Sequence, residues 1–106
     1  MIDCIEDDNK VCMFSKDKCG FCIKSKSLLV DNNIPFTEIK LDPADLDYVK
    51  TITSLKNKSN GHSTFPFIFI GIQFLGGFTD LNHSLNTSLS EKLEKIGILY
   101  KPDLDF

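Results

Sequence analysis

Val11-Cys12-Met13-Phe14 is an unbroken apolar run between polar neighbours, the pattern of a short strand buried on both faces of a parallel sheet. Beyond Cys22 the character changes. Ile23, Leu28, Leu29 and Val30 fall at roughly helical spacing among lysines and serines, and Asp31-Asn32-Asn33 stops the helix. "IPFTEIKLD" then starts from a proline and alternates, which places Phe36, Ile39 and Leu41 in or beside a second strand. Strand, helix and strand in this order make a βαβ unit.

The second half carries its own punctuation. Asp42 reads as an N-cap with Pro43 at the first helical position, and Asn60-Gly61 breaks a helix that ends somewhere after Leu55. "PFIFI" and "IQFLG" flank Gly71 as the arms of an antiparallel hairpin. Thr79 to Leu85 supplies one or two helical turns, and Ser88-Leu89-Ser90-Glu91 forms a capping box that opens a last helix ending at Gly97. The predicted order is β-α-β-α-β-β-α, with the last helix open to division.

A chain of 106 residues that is 42% hydrophobic has material for one domain, residues 1–106, and one core. Residues 1–9 and 100–106 read as loosely held ends. The formal charge is −3 and every positive side chain is a lysine, scattered among acids. Nothing is arranged to neutralise a run of phosphates, so no nucleic-acid partner is expected. "MIDCIEDDNK" is acidic where a secretory signal is basic and then apolar, which predicts a cytoplasmic protein. The most apolar stretch, "FPFIFIGIQFLGGF", is broken by Pro66, Gly71, Gln73 and Gly76-Gly77, and no membrane span is expected from it. Asn57, Asn82 and Asn86 begin glycosylation triplets that carry no weight without export.

"FSKDKCGFC" places Cys19 and Cys22 where the first strand gives way to a helix. A sulfur there faces unpaired backbone N–H groups and the positive end of the helix dipole, with Lys16 and Lys18 nearby, so the thiol at position 19 loses its proton more readily. Cys19 is therefore the expected attacking thiol, and Cys22, one turn further in, the resolving one. A zinc site needs a second close pair of ligands, whereas Cys4, Cys12, His62 and His83 are scattered. Stable bridging is unexpected in a reducing compartment, and a C-x-x-C pair beside a βαβ pattern points to redox chemistry. Cys12 reads as a small buried hydrophobe, Cys4 as a thiol on a mobile end, and both histidines as solvated.

Pro66 stands just before a strand. A trans bond there would merely start an edge strand, whereas a cis bond would turn the Phe65 backbone outward to pair with an extended peptide. Gly76-Gly77 permits a sharp turn and a close approach, and the N–H groups at Thr79 and Asp80 open a short helix suited to a carboxylate, with Thr79 as the alternative N-cap.

Together "FSKDKCGFC", "STFPFIFI" and "GGFTDL", in this order over roughly residues 10–99, resemble the glutaredoxin family. The resemblance implies a thioredoxin-like α/β fold with a central four-stranded mixed sheet flanked by helices, and a cis bond before Pro66. It implies a glutathione-dependent thiol–disulfide oxidoreductase with Cys19 and Cys22 as the reacting pair. Its glutathione-binding positions fall on Lys16, Phe21, Thr64, Phe65, Pro66, Gly77, Thr79 and Asp80: Lys16 toward the glycyl carboxylate, Phe65 toward the cysteinyl backbone, Thr79 and Asp80 toward the γ-glutamyl end.

Gly20-Phe21 departs from the commonest dithiol pattern and is typical of the monothiol branch, and His62-Ser63 replaces the Gln or Arg often found before the threonine. The implied partners are glutathione and disulfide-containing or glutathionylated client proteins, met by a monomer. The rival that Gly20 admits is an iron–sulfur carrier, a dimer holding a [2Fe–2S] cluster through Cys19 and glutathione.

Overall fold

The sheet is laid down by β1 (Val11–Lys16), β2 (Thr37–Leu41), β3 (Phe67–Ile70) and β4 (Gln73–Gly76), in the spatial order β2-β1-β3-β4. The computed structural model describes residues 11–85 and 89–97, with Ser90 described by its backbone alone. β1 runs parallel to β2, with Phe14 opposite Ile39, and antiparallel to β3, with Cys12 opposite Phe69. β3 and β4 form the expected hairpin, turned at Gly71, whose φ of 62° is left-handed. This is the mixed four-stranded thioredoxin-like sheet that the family resemblance implies.

Strand alternation divides the core in two. Val11 and Met13 of β1, with Ile68 and Ile70 of β3, pack on one face against Leu29, Leu81, Leu89 and Leu93. These leucines lie on α1 (Gly20–Asp31), α3 (Phe78–Ser84) and α4 (Leu89–Lys95). Cys12, Phe14, Phe67 and Phe69 point to the other face, against Leu55 and half-buried Tyr48 and Ile52 of α2 (Tyr48–Lys58). Because β1 and β3 are central, both of their faces are apolar.

Three local expectations are corrected. In α1 the inward residues are Cys22, Ser25 and Leu29, while Ile23 and Val30 are 65% and 56% exposed. The stripe that faces the sheet runs from Cys22 at i+3 and i+7, and Ile23 and Val30 are each rotated one residue off it. α2 begins at Tyr48, not at Pro43. Asp42 accepts the Ala44 N–H through Oδ1 at 2.9 Å and the Asp45 N–H through its carbonyl at 2.9 Å, so its capping chemistry makes a turn in place of a helix start.

The third concerns Cys12, fully buried in β1 as expected, but disulfide-bonded rather than a free thiol. Elsewhere the punctuation holds. Asn32 caps α1, and α2 ends at Lys58 ahead of left-handed Asn60 and Gly61, whose N–H reaches the Lys56 carbonyl at 2.7 Å. The last helical stretch is divided into α3 and α4, with Gly97 after α4 at a φ of 84°. Ser88 of the predicted capping box, Cys4 and the two predicted loose ends lie outside the described residues.

Across the β1–β2 pair, Glu38 accepts the Ser15 hydroxyl at 2.8 Å and meets Lys26 of α1 at 3.2 Å. Burial by itself raises its carboxyl, but the hydrogen bonds from Ser15 and Lys26, with the charges of Lys26 and Lys40, outweigh burial and bring it below the ordinary 4.5.

Candidate active site

Cys19 is the N-cap of α1, with extended backbone angles (φ −108°, ψ 107°), and its Sγ accepts the Cys22 N–H at 3.2 Å. The sulfur therefore already serves as the acceptor for a helix-start N–H, which is the position that favours negative charge. No acid lies in the first turn of α1. Cys19 and Cys22 are joined as a disulfide with their Cα atoms 5.2 Å apart. Of the two, Cys19 is the more exposed, 8% against 4%. The turn before it contains left-handed Lys18, and Asp17 within it pairs with Lys40 at 3.6 Å.

A groove of about 480 Å³ opens beside Cys19. It is lined by Lys16 and Cys19, by Tyr48, Ile52 and Lys56 of α2, and by Ser63, Thr64, Phe65 and Phe67. The Lys16 ammonium lies 5.2 Å from the centre of the Phe65 ring. The Phe65–Pro66 bond is cis, as expected, and Pro66 is fully buried. Lys16, Thr64 and Phe65 are thus brought together with Cys19, and Pro66 lies behind them.

The double glycine lies at the β4–α3 junction. Gly76 has a φ of 137°, and a Cβ there would fall on the Asp80 carboxylate. Gly77, not Thr79, is the N-cap, and its N–H donates to Asp80 Oδ2 at 3.1 Å. A Cβ on Gly77 would stand 3.4 Å from the Pro66 carbonyl oxygen, so the junction passes directly against the cis-proline segment. Phe21 lies apart from the groove lining: its ring stacks on Phe78 at 5.7 Å.

Sequence reasoning missed two contributors. Tyr48, Ile52 and Lys56 recur every four residues along α2, a spacing that was readable but led nowhere without knowing which face meets the site. His62, read as solvated, packs on Phe67 and Phe74 at 4.9 and 5.0 Å between ring centres. Its Nε2 is 3.4 Å from Thr64 Oγ1, and its ring flanks Gly77. Among the described residues no three His, Cys, Asp or Glu side chains are grouped to hold a metal ion, and no helix is long and apolar enough to cross a membrane.

A disulfide at a helix start, lining a groove together with the residues just before a cis-proline, can exchange with an external thiol while a peptide lies in that groove. The family model described as Glutaredoxin matches residues 11–75, the span from β1 into β4. This chain belongs to the glutaredoxin family. Among its relatives, glutaredoxin-1 of Gallus gallus is 35% identical over 92 residues, covering 87% of this glutaredoxin and 88% of the chicken protein. Mitochondrial glutaredoxin-2 of Bos taurus is 36% identical over 73 residues, 69% of this chain, which spans only 45% of the bovine length. The crystal structure of a buckwheat glutaredoxin–glutathione complex superposes with a TM-score of 0.79 at 26% identity, covering 92% of this chain and 86% of that one.

Proposed function

We propose that this glutaredoxin is a glutathione-dependent thiol–disulfide oxidoreductase acting on glutathionylated and disulfide-bonded proteins. The observation that carries the reading is Cys19 as the N-cap of α1, bridged to Cys22 and lining a groove together with Lys16 and Lys56. In the reduced protein the Cys19 thiolate attacks the glutathione sulfur of a client–glutathione disulfide. A Cys19–glutathione bond forms, the client–glutathione bond breaks, and the client leaves as a thiolate that takes a proton. A second glutathione thiolate then attacks the glutathione sulfur on Cys19, releasing glutathione disulfide and restoring the Cys19 thiolate.

With a protein disulfide, the Cys19 thiolate attacks one client sulfur, the client S–S bond breaks and the other client sulfur leaves as a thiolate; the Cys22 thiolate then attacks Cys19 Sγ and displaces the first client sulfur. That leaves the Cys19–Cys22 bridge, which two glutathiones reopen in turn. On this reading the three parts of glutathione meet three parts of the site. Lys16, joined by Lys56, faces the glycyl carboxylate, the Phe65 backbone pairs with the cysteinyl unit, and the Gly77–Asp80 turn takes the γ-glutamyl end. The likeness to a glutaredoxin solved with glutathione supports this ligand. The iron–sulfur alternative would use the Cys19 sulfur, and among the described residues no three His, Cys, Asp or Glu side chains are grouped to hold a metal ion.

Reduction of a glutathionylated peptide by glutathione tests the reading. Cys19→Ser should abolish turnover, and Cys22→Ser should keep substantial turnover through Cys19 alone. Equal loss in both would overturn the division of roles.

A further inference from the structure

The groove beside Cys19 has the size of a small-molecule site, within the range of about 300–1,000 Å³. It can take a tripeptide, but the protein part of a client has to rest on the surface around it. On one flank that surface is unusual. Phe21, two residues past Cys19, is 56% exposed, and its ring stacks on Phe78 from α3 at 5.7 Å and 28°. The Lys24 ammonium lies 5.5 and 5.9 Å from the two ring centres. Neither ring nor this lysine lines the glutathione groove.

Two features specify what fits there. A ring pair drawn from two elements is a rigid apolar shelf, so little order is lost when a side chain lies on it. The charge around it is positive although the whole chain is −3. Lys16 and Lys56 line the groove with Cys19, Lys18 precedes it in the chain and Lys24 lies over the ring pair, while Asp17 is engaged by Lys40 and Asp80 by the Gly77 N–H. Among the described residues the ion pairs use Lys26 and Lys40, and none uses Lys24.

We propose that Phe21, Phe78 and Lys24 form a docking shelf for the client, selecting cysteines flanked by an aromatic side chain and a carboxylate. The proposal rests on the oxidoreductase reading and adds a specificity determinant to it. The client's aromatic side chain covers the exposed edge of the ring pair, and its carboxylate meets Lys24, whose held position spares ordering cost.

The test uses the full chain and three glutathione mixed disulfides. One is a small hydroxyethyl adduct, one a peptide with Trp and Asp beside its glutathionylated cysteine, and one the same peptide with Ser and Lys there. The Trp/Asp peptide should show a KM about three- to ten-fold below that of the Ser/Lys peptide, with similar kcat. Lys24→Gln and Phe78→Ala should each shrink that ratio, and in Lys24→Gln turnover of the hydroxyethyl adduct stays at wild type. Lys24→Gln changes an exposed side chain, so it serves if Phe78→Ala disturbs α3. Equal KM values for the two peptides, with the small adduct turned over normally, would overturn the shelf alone. Failure to turn over the small adduct would overturn the oxidoreductase reading, and the shelf with it.

Discussion

Gly76→Ala tests how the turn proposed for the γ-glutamyl end is built. At a φ of 137° an alanine is strained, and its Cβ would occupy the place of the Asp80 carboxylate. The backbone term is of order 1–3 kcal/mol. Displacing the carboxylate also removes its bond from the Gly77 N–H, a helix cap worth about 0.5–2 kcal/mol. Together the loss should be about 2–4 kcal/mol, a large share of the 5–15 kcal/mol that is ordinary for a small domain.

Asp80→Ala alone loses only the cap, about 1 kcal/mol. In the Gly76→Ala background, however, the cap is already broken and there is no carboxylate left to collide with the new methyl group. The second substitution should then be neutral or partly restoring. Urea unfolding of the four proteins measures the cycle, and the KM for a glutathionylated peptide, raised in both single variants, reports on the groove. If Asp80→Ala costs the same in both backgrounds, Gly76 does not act through Asp80 and the reasoning fails.

In the reduced protein Cys19 should titrate below the roughly 8.5 of a free thiol, because its sulfur accepts the Cys22 N–H at the start of α1; alkylation rate against pH measures it, and an ordinary value would remove the helix-start argument. Lys56→Ala should raise the KM for glutathionylated peptide about two- to five-fold, the scale of a half-exposed ion pair, with salt reducing the difference. An unchanged KM would take Lys56 out of the glycyl site. Glu38 is held below 4.5, so its contribution to stability is complete above that pH and is lost as pH falls through the lowered value. Acid unfolding should be shallower in Glu38→Gln, and an unaltered acid limb would show that Ser15, Lys26 and Lys40 do not favour the carboxylate.

Much of this fold is legible because its signals are local. The apolar run at β1, the alternation in β2 and the glycine of the β3–β4 hairpin each depend on a few adjacent residues, and the structure keeps them. The start of α2 was misplaced because aspartate followed by proline suits a turn as well as a helix cap, and only the following chain decides between them. His62 was illegible for a different reason: its packing comes from Phe67 and Phe74 on both arms of the hairpin, neither of which is beside it in sequence. Cys12 defeated an argument from compartment, since chain chemistry alone does not reveal whether a buried sulfur has found a partner. The cysteine pair was readable because its position in the chain, between strand and helix, is itself the electrostatic device.

The topology explains why residues so far apart in sequence make one site. β1 ends at Lys16 beside Leu41, the end of parallel β2, while antiparallel β3 begins at Phe67 opposite Phe14. β4 returns antiparallel and ends at Gly76 opposite Ile68. Every connection that bears on the groove therefore leaves or enters the same end of the sheet. The cysteine turn follows β1, the turn leading into α2 follows β2, the Thr64–Pro66 segment precedes β3, and the glycine turn follows β4. The sulfur is fixed by the start of one helix, and the groove beside it is lined by the end of β1, by α2 and by the segment entering β3, with the glycine turn against Pro66. Changes to α2 or to the glycine turn can thus alter which disulfide is held without altering the helix start that makes Cys19 a nucleophile. Sequence variation at Lys56, His62 or Phe78 would retune the clients while leaving the exchange chemistry in place.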